Sequence, residues 1–234
     1  MNNNTAISWT ETTWNPLTGC TKISSGCKNC YAAAWARRLQ AAGIKHYANG
    51  FNLTVHPDSV DEPRHWRKPT IVFVNSMSDM FHAQVPFDFI ARVFDTMNAC
   101  PRHIFQVLTK RSNVLLQYAP NLKWTDNIWM GVSVEDQALV HRIDDLRQVP
   151  AKVRFLSLEP LLGPMPNLNL TGIHWVIVGG ESGPGFRPMD VDWARNIRNQ
   201  CVKAGVTFFF KQYSGFHPKK LGDQLDGVVW HDMP

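Results

Sequence analysis

The chain has no apolar run long enough to span a bilayer. Its opening stretch, MNNNTAISWTETTW, lacks both the basic n-region and the apolar core of a secretory signal. No internal repeat and no low-complexity tract interrupts it. Charge is sparse, at 18% of 234 residues, and together with 44% hydrophobic residues this is the balance of an ordinary globular domain. Cysteine is scarce as well. With five in the whole chain, a disulfide framework is not the natural reading. The expectation is a cytoplasmic protein without membrane contact, whose thiols stay reduced. The glycine-rich GGESGPG (179–185) is not promptly followed by a helix, so it does not form a G-x-G-x-x-G dinucleotide fingerprint.

Three of the five cysteines fall together in GCTKISSGCKNCYAAAWARR (19–38). Cys20, Cys27 and Cys30 have the spacing C-x6-C-x2-C, and a helix-forming run follows at once. In a reduced environment such a group is expected to bind metal. A structural zinc takes four ligands, so a zinc site would need a fourth, with His46 and His56 as candidates. An iron–sulfur cluster held by three thiolates would leave one iron open. Cys100 and Cys201 lie in apolar helical stretches, where a buried inert thiol is the ordinary reading. Cys201 is kept as a weak catalytic candidate, because a thiol can also donate a hydrogen atom.

Elsewhere short apolar runs alternate with amphipathic stretches, the rhythm of an α/β fold with a parallel sheet. The strands expected are TIVFVNS (70–76), HIFQVLT (103–109), NIWMGVSV (127–134), VRFLSL (153–158), HWVIVGG (174–180) and VTFFFKQ (206–212). Helices are expected in NCYAAAWARRLQAAG with Gly43 as its stop, PFDFIARVFDTMNAC, EDQALVHRIDDLRQV and DVDWARNIRNQCVKAG. Residues 1–234 are read as one domain with 213–234 as a small C-terminal appendage. Residues 44–69 break the rhythm. Their basic-aromatic cluster, Arg64, His65, Trp66, Arg67 and Lys68, is either a nucleic-acid contact or a solvated connection pinned by its tryptophan.

Nearly every expected strand ends on polar residues: Ser76, Ser78 and Asp79; Thr109 and Lys110; Ser133 and Glu135; Glu159; Glu181 and Ser182; Lys211 and Gln212. In a parallel barrel the C-terminal strand ends converge on one mouth, where active sites are built. His82 follows SDMF and either faces that mouth or serves in packing.

The blocks TWNPLTGCTKISSGCKNCYA, NSMSDMFH, FQVLTKR, GVSVE, LSLEPLLGP, VIVGGESGPGFRPM and FFFKQ together resemble the phage Gp37/Gp68 (DUF5131) family. That family in turn resembles radical S-adenosylmethionine (SAM) proteins, with spore photoproduct lyase as a distant relative. The commonest spacing in radical SAM proteins is C-x3-C-x2-C, so the first interval here is longer. The resemblance implies a partial TIM-like barrel with the cysteine loop after its first strand. It implies a [4Fe–4S] cluster on Cys20, Cys27 and Cys30, with SAM on the open iron. It also carries cofactor-binding roles onto Ser76, Ser78 and Asp79 for the SAM amino group, Lys110 for its carboxylate, Ser133 near the carboxylate or ribose, and Tyr31 beside cluster or adenine.

The function implied is reductive cleavage of SAM to a 5′-deoxyadenosyl radical, with an electron donor such as flavodoxin or ferredoxin. The substrate is unidentified. A net charge of +5 favours an anionic partner, DNA or RNA, and hence photoproduct repair or base modification. Two alternatives stand beside this: a non-catalytic metal-binding module that recognises nucleic acid, and a radical SAM enzyme that modifies a protein partner.

Overall fold

Runs of β-branched and aromatic residues favour pleated, buried strands, and all six expected strands form. The structure, a computed structural model, describes residues 5–234. The first four residues of the expected 1–234 domain lie outside the described residues. In chain order the elements are β1 (Thr12–Trp14), β2 (Leu17–Thr18), α1 (Tyr31–Ala41), β3 (Thr54–Val55), β4 (Ile71–Val74), α2 (Phe87–Asn98), β5 (Ile104–Thr109), α3 (Ser112–Tyr118), β6 (Ile128–Ser133), α4 (His141–Arg147), β7 (Arg154–Leu158), β8 (Trp175–Gly179), α5 (Val191–Ala204), β9 (Thr207–Gln212), β10 (Gln224–Leu225) and β11 (Val228–Val229). Seven strands pair in parallel in the order β1-β4-β5-β6-β7-β8-β9 and curl into a half-barrel. This is the expected partial TIM-like α/β barrel. The sequence reading missed β1, whose three residues are too few for a period, and the short helix α3.

Side chains of a strand alternate between faces, and here both faces are buried. Outward residues such as Val72, Val74, Val107, Met130, Leu156 and Val178 join Ile90, Val93, Phe94, Ile197 and other helix residues in the larger core. The inward set is aromatic. Phe73, Trp129, Phe155, Trp175 and Phe209 gather around Trp9, which enters from the segment before β1. Trp9 lies 4.6 Å from Phe73 between ring centroids, and Trp175 lies 5.6 Å from Phe155 and 6.0 Å from Phe209. These rings fill the half-barrel from within. Toward the C-terminal strand ends the inward positions change to small and polar residues, among them Asn75, Gly131, Ser133 and Ser157.

Residues 213–234 form a 3-10 turn at Pro218–Leu221 and the β10–β11 hairpin. The chain then covers the free edge of β9. The Phe210 amide donates to the Trp230 carbonyl at 2.8 Å, and the Trp175 indole N–H donates to the Asp232 carbonyl at 3.0 Å. Residues 44–69 carry β3, which pairs antiparallel with β2. In the basic-aromatic cluster Trp66 packs on the core and against His103, 5.6 Å away, while Arg64, His65, Arg67 and Lys68 are exposed. The tryptophan therefore pins the connection, and its four basic neighbours face solvent. Among the described residues, no helix is long and apolar enough to cross a membrane.

The aromatic interior leaves no room at Gly131. A methyl group added there would stand 2.5 Å from the Phe155 ring, which is fully buried. Overpacking of this kind costs about 1–3 kcal/mol. Gly131→Ala is expected to lower the urea midpoint accordingly without changing the slope, and an unchanged midpoint would contradict this packing.

Candidate functional site

The loop between β2 and α1 crosses the C-terminal mouth of the half-barrel. Gly19 N donates to the Met77 carbonyl at 3.0 Å, which sets the loop beside the end of β4. A cavity of about 230 Å³ lies below it. Cys20, Cys27 and Cys30 all line this cavity, and all are free and half-buried. Of the strand-end residues singled out by sequence, Ser76, Ser78, Asp79, Thr109, Lys110, Ser133, Glu159, Glu181, Ser182, Lys211 and Gln212 line it too. Tyr31 also faces it, with its hydroxyl donating to the Ser76 carbonyl at 2.5 Å.

Buried carboxylates grip the loop. Asp79 is 6% exposed. Its oxygens accept from the Thr109 hydroxyl at 2.6 Å, the Phe81 amide at 3.0 Å, the Lys110 amide at 3.1 Å and Arg111 Nη1 at 2.8 Å. A carboxylate offers about four lone-pair sites, so Asp79 is fully engaged within the protein. Its effect reaches the loop through Arg111, which also donates to Cys20 Sγ at 3.4 Å and to the Thr21 carbonyl and hydroxyl at 3.0 Å each. His82 meets the same hydroxyl at 2.8 Å. Its Nδ1 accepts from the Gln84 amide, so Nε2 carries the proton when the ring is neutral. His82 thus holds the loop from beneath.

Glu135 is fully buried. It accepts from Ser24 of the loop at 2.8 Å and pairs with Lys110 at 3.0 Å and Arg142 at 3.0 Å. Gly26 is needed above it, since a Cβ there would stand 2.5 Å from the carboxylate. Asp136 accepts from Ser25 at 3.2 Å. Glu181 pairs with Arg187 and accepts from Asn29 at 3.0 Å, while Arg187 also donates to the Ser25 carbonyl at 3.0 Å. Within the cavity wall, Lys211 and Glu159 form a pair at 2.6 Å.

These contacts set the thiols apart. Burial pushes the Cys20 thiol up, and the Asp79 charge adds to this, with Arg111 opposing. Burial also disfavours the Cys27 thiolate, but backbone groups of Ile23 and Ser24, the Ser24 hydroxyl and the Lys110 charge outweigh it and hold that thiol below its ordinary value.

Three soft sulfur donors facing one cavity suit a group bound through three thiolates. Among the described residues, no three His, Cys, Asp or Glu side chains are gathered to hold a single metal ion. The imidazoles proposed to complete a zinc site are engaged elsewhere. His46 and His56 stack at 3.5 Å, His46 donates to the Asn15 carbonyl at 3.1 Å, and His56 bonds the Thr18 hydroxyl at 2.9 Å. Cys201 is not brought to the site. It is fully buried in the outer core on α5, and burial pushes its thiol up to about 12. The sequence reading missed Arg111, Asn29, Arg187, Trp9 and Asn75. For Arg111 a signal existed, as a second cation directly after Lys110 at a strand end.

The charge around Glu135 has a measurable signature. Burial alone raises a carboxyl, but Lys110 and Arg142 outweigh it and hold Glu135 below its ordinary value of 4.5. A folded value below the unfolded one means stability that is present above the unfolded value and lost as pH falls through the folded one. Glu135→Gln removes this contribution. The stability gap between parent and variant is therefore expected to shrink as pH falls from about 6 to about 3, read from urea midpoints. A gap independent of pH would count against the pairing.

No curated protein matches the chain. Three solved structures of spore photoproduct lyase are similar to it. The one complexed with dinucleoside spore photoproduct is 13% identical with a TM-score of 0.47, and a double mutant with bound AdoMet and dinucleoside spore photoproduct is 13% identical with a TM-score of 0.49. Each covers 83% of this chain, which spans 62% of the lyase chain. The family model described as "Protein of unknown function (DUF5131)" matches residues 4–234, and the chain belongs to that family.

Proposed function

We propose that this chain is a radical SAM enzyme in which Cys20, Cys27 and Cys30 hold a [4Fe–4S] cluster and the cavity beneath them receives SAM. The observation that carries this reading is the meeting of three free thiols and the polar strand ends of a parallel half-barrel in one cavity wall. The resemblance of the cysteine block and strand-end motifs to radical SAM proteins supports it. A reduced cluster bound there would supply the one electron that splits SAM into methionine and a 5′-deoxyadenosyl radical.

The chain's own residues have separate tasks. Arg111 donates to Cys20 Sγ and fixes its direction. Lys110 lines the cavity while paired with Glu135, and in this reading its cation meets the SAM carboxylate. Ser133 lines the wall near it. Ser76 and Ser78 spend their hydroxyl protons on Asn15 Oδ1 and the Leu17 carbonyl, so toward an amino group they offer oxygen lone pairs. Asp79, with both oxygens occupied, acts by holding Arg111 rather than by meeting the cofactor. The aromatic floor keeps water from the deep side of the cavity, as a radical reaction requires. The basic net charge favours a nucleic-acid substrate.

Protein reconstituted anaerobically with iron and sulfide is expected to bind about four irons per chain, and joint replacement of Cys20, Cys27 and Cys30 by Ala to abolish this. Reduced with dithionite and given SAM, the loaded protein should form 5′-deoxyadenosine. Stoichiometric zinc without iron would refute the reading.

Lys110→Met tests where the cofactor sits. A charge-assisted hydrogen bond in a partly dry site is worth about 1.5–3 kcal/mol. SAM binding should weaken about ten- to a hundred-fold, with iron content and visible absorption kept. Unchanged SAM affinity would show that Lys110 does not meet the cofactor.

A further inference from the structure

Asn75 stands out on the cavity wall. It follows β4 directly, two residues beyond the inward-facing Phe73, lines the cavity, and is 2% exposed. Its backbone is satisfied, with the amide donating to the Trp14 carbonyl at 2.8 Å and the carbonyl accepting from the Ser78 amide at 3.2 Å. Its side chain is not. Neither Oδ1 nor Nδ2 has a hydrogen-bond partner. Most buried polar side chains are paired, and an orphaned one costs stability. The backbone lies in a turn at φ +62°, in the left-handed region that asparagine enters more readily than most residues other than glycine. What sets the residue apart is a buried amide without a partner on the wall of a cavity, a group that calls for an explanation such as a ligand.

The surroundings narrow what the amide would bind. Trp9 lines the same cavity, and its indole N–H is likewise buried without a partner. Phe73, Trp9 and Leu108 supply apolar and aromatic walls. A planar carboxamide pairs best with a planar edge that carries a donor beside an acceptor, as Asn does with adenine. Flat walls favour a ring over an open-chain amide. We infer that Asn75, with the Trp9 N–H as a second donor, is a specificity-determining residue that reads the edge of a nucleobase held in this cavity. The inference deepens the radical SAM reading by naming the chemistry the deep cavity recognises. It requires only that the cavity bind, so it does not depend on the cluster. The base belongs either to the adenosyl group of SAM or to a nucleotide substrate.

The test uses the full chain, with adenosine, cytidine, guanosine, thymidine and S-adenosylhomocysteine as probes in equilibrium titrations. The parent should bind at least one at millimolar concentration or better. Asn75→Gly accepts the left-handed backbone and removes the orphaned amide, so it should weaken that binding roughly ten- to a hundred-fold without lowering the unfolding midpoint. Asn75→Asp keeps the shape but exchanges the amide donor for an acceptor, and should lose affinity too. Loss confined to adenosine and S-adenosylhomocysteine assigns the base to SAM, and loss on another nucleoside assigns it to substrate. Both support the inference. It is overturned if the parent binds none of the probes, if both variants bind as the parent does, or if Asn75→Gly lowers the midpoint and leaves binding intact. Nucleoside binding without iron loading would sink only the cluster assignment. Iron loading and SAM cleavage with no effect at Asn75 would sink only this inference.

Discussion

Three buried carboxylates, Asp79, Glu135 and Glu181, hold the cysteine loop in place. The loop from Gly19 to Cys30 has no disulfide, and its only secondary structure is a 3-10 turn at Ser25–Cys27. Its position comes from strand ends that lie side by side because the sheet is parallel. Asp79, after β4, acts through Arg111, after β5; Glu135 follows β6, and Glu181 follows β8. A buried carboxylate is tolerable only when charge and hydrogen bonds repay its lost hydration. Each has a cation of its own: Arg111 for Asp79, Lys110 and Arg142 for Glu135, Arg187 for Glu181. The long interval between Cys20 and Cys27 is part of this arrangement. Thr21, Ser24 and Ser25 lie within it, and they are the residues that Arg111, Glu135, Asp136 and Arg187 take hold of.

The division inside the half-barrel follows from the same alternation that makes the strands. Inward positions are aromatic at one end and small or polar at the other, so one strand supplies both floor and wall. The step from Phe73 on β4 to Asn75 just beyond its end marks this boundary. The floor is rigid because its rings contact one another, and the wall can be polar because the loop and its ion pairs cover it.

The strands were legible in the sequence because both faces are buried, so each reads as a continuous apolar run that ends abruptly in polar residues. That ending also exposed most of the cavity wall, including Lys110 and Ser133. β1 was not legible, because three residues have no period. Pairing was not legible either. Nothing local in FVNSMSD says that Asp79 spends both oxygens inside the protein, nor in GVSVE that Glu135 faces Lys110. Cys201 could not be placed from its helix, since periodicity shows that a face is buried but not which side of the sheet buries it. Asn75 resembles an ordinary turn residue in sequence. Its orphaned amide appears only once the surroundings are known.

The order of the sheet bears on how the chain is made. Strands β1, β4, β5, β6, β7, β8 and β9 stand side by side in the order in which they are synthesised. Each new strand therefore emerges next to the one before it, and the sheet can grow at a single advancing edge as the chain leaves the ribosome. At every intermediate length that edge is open to pairing with a neighbouring nascent chain. In the folded chain that edge is covered: the Phe210 amide donates to the Trp230 carbonyl, and the Trp175 indole N–H donates to the backbone of Asp232. Residues 230–232 thus cover the edge at which the sheet would otherwise go on pairing.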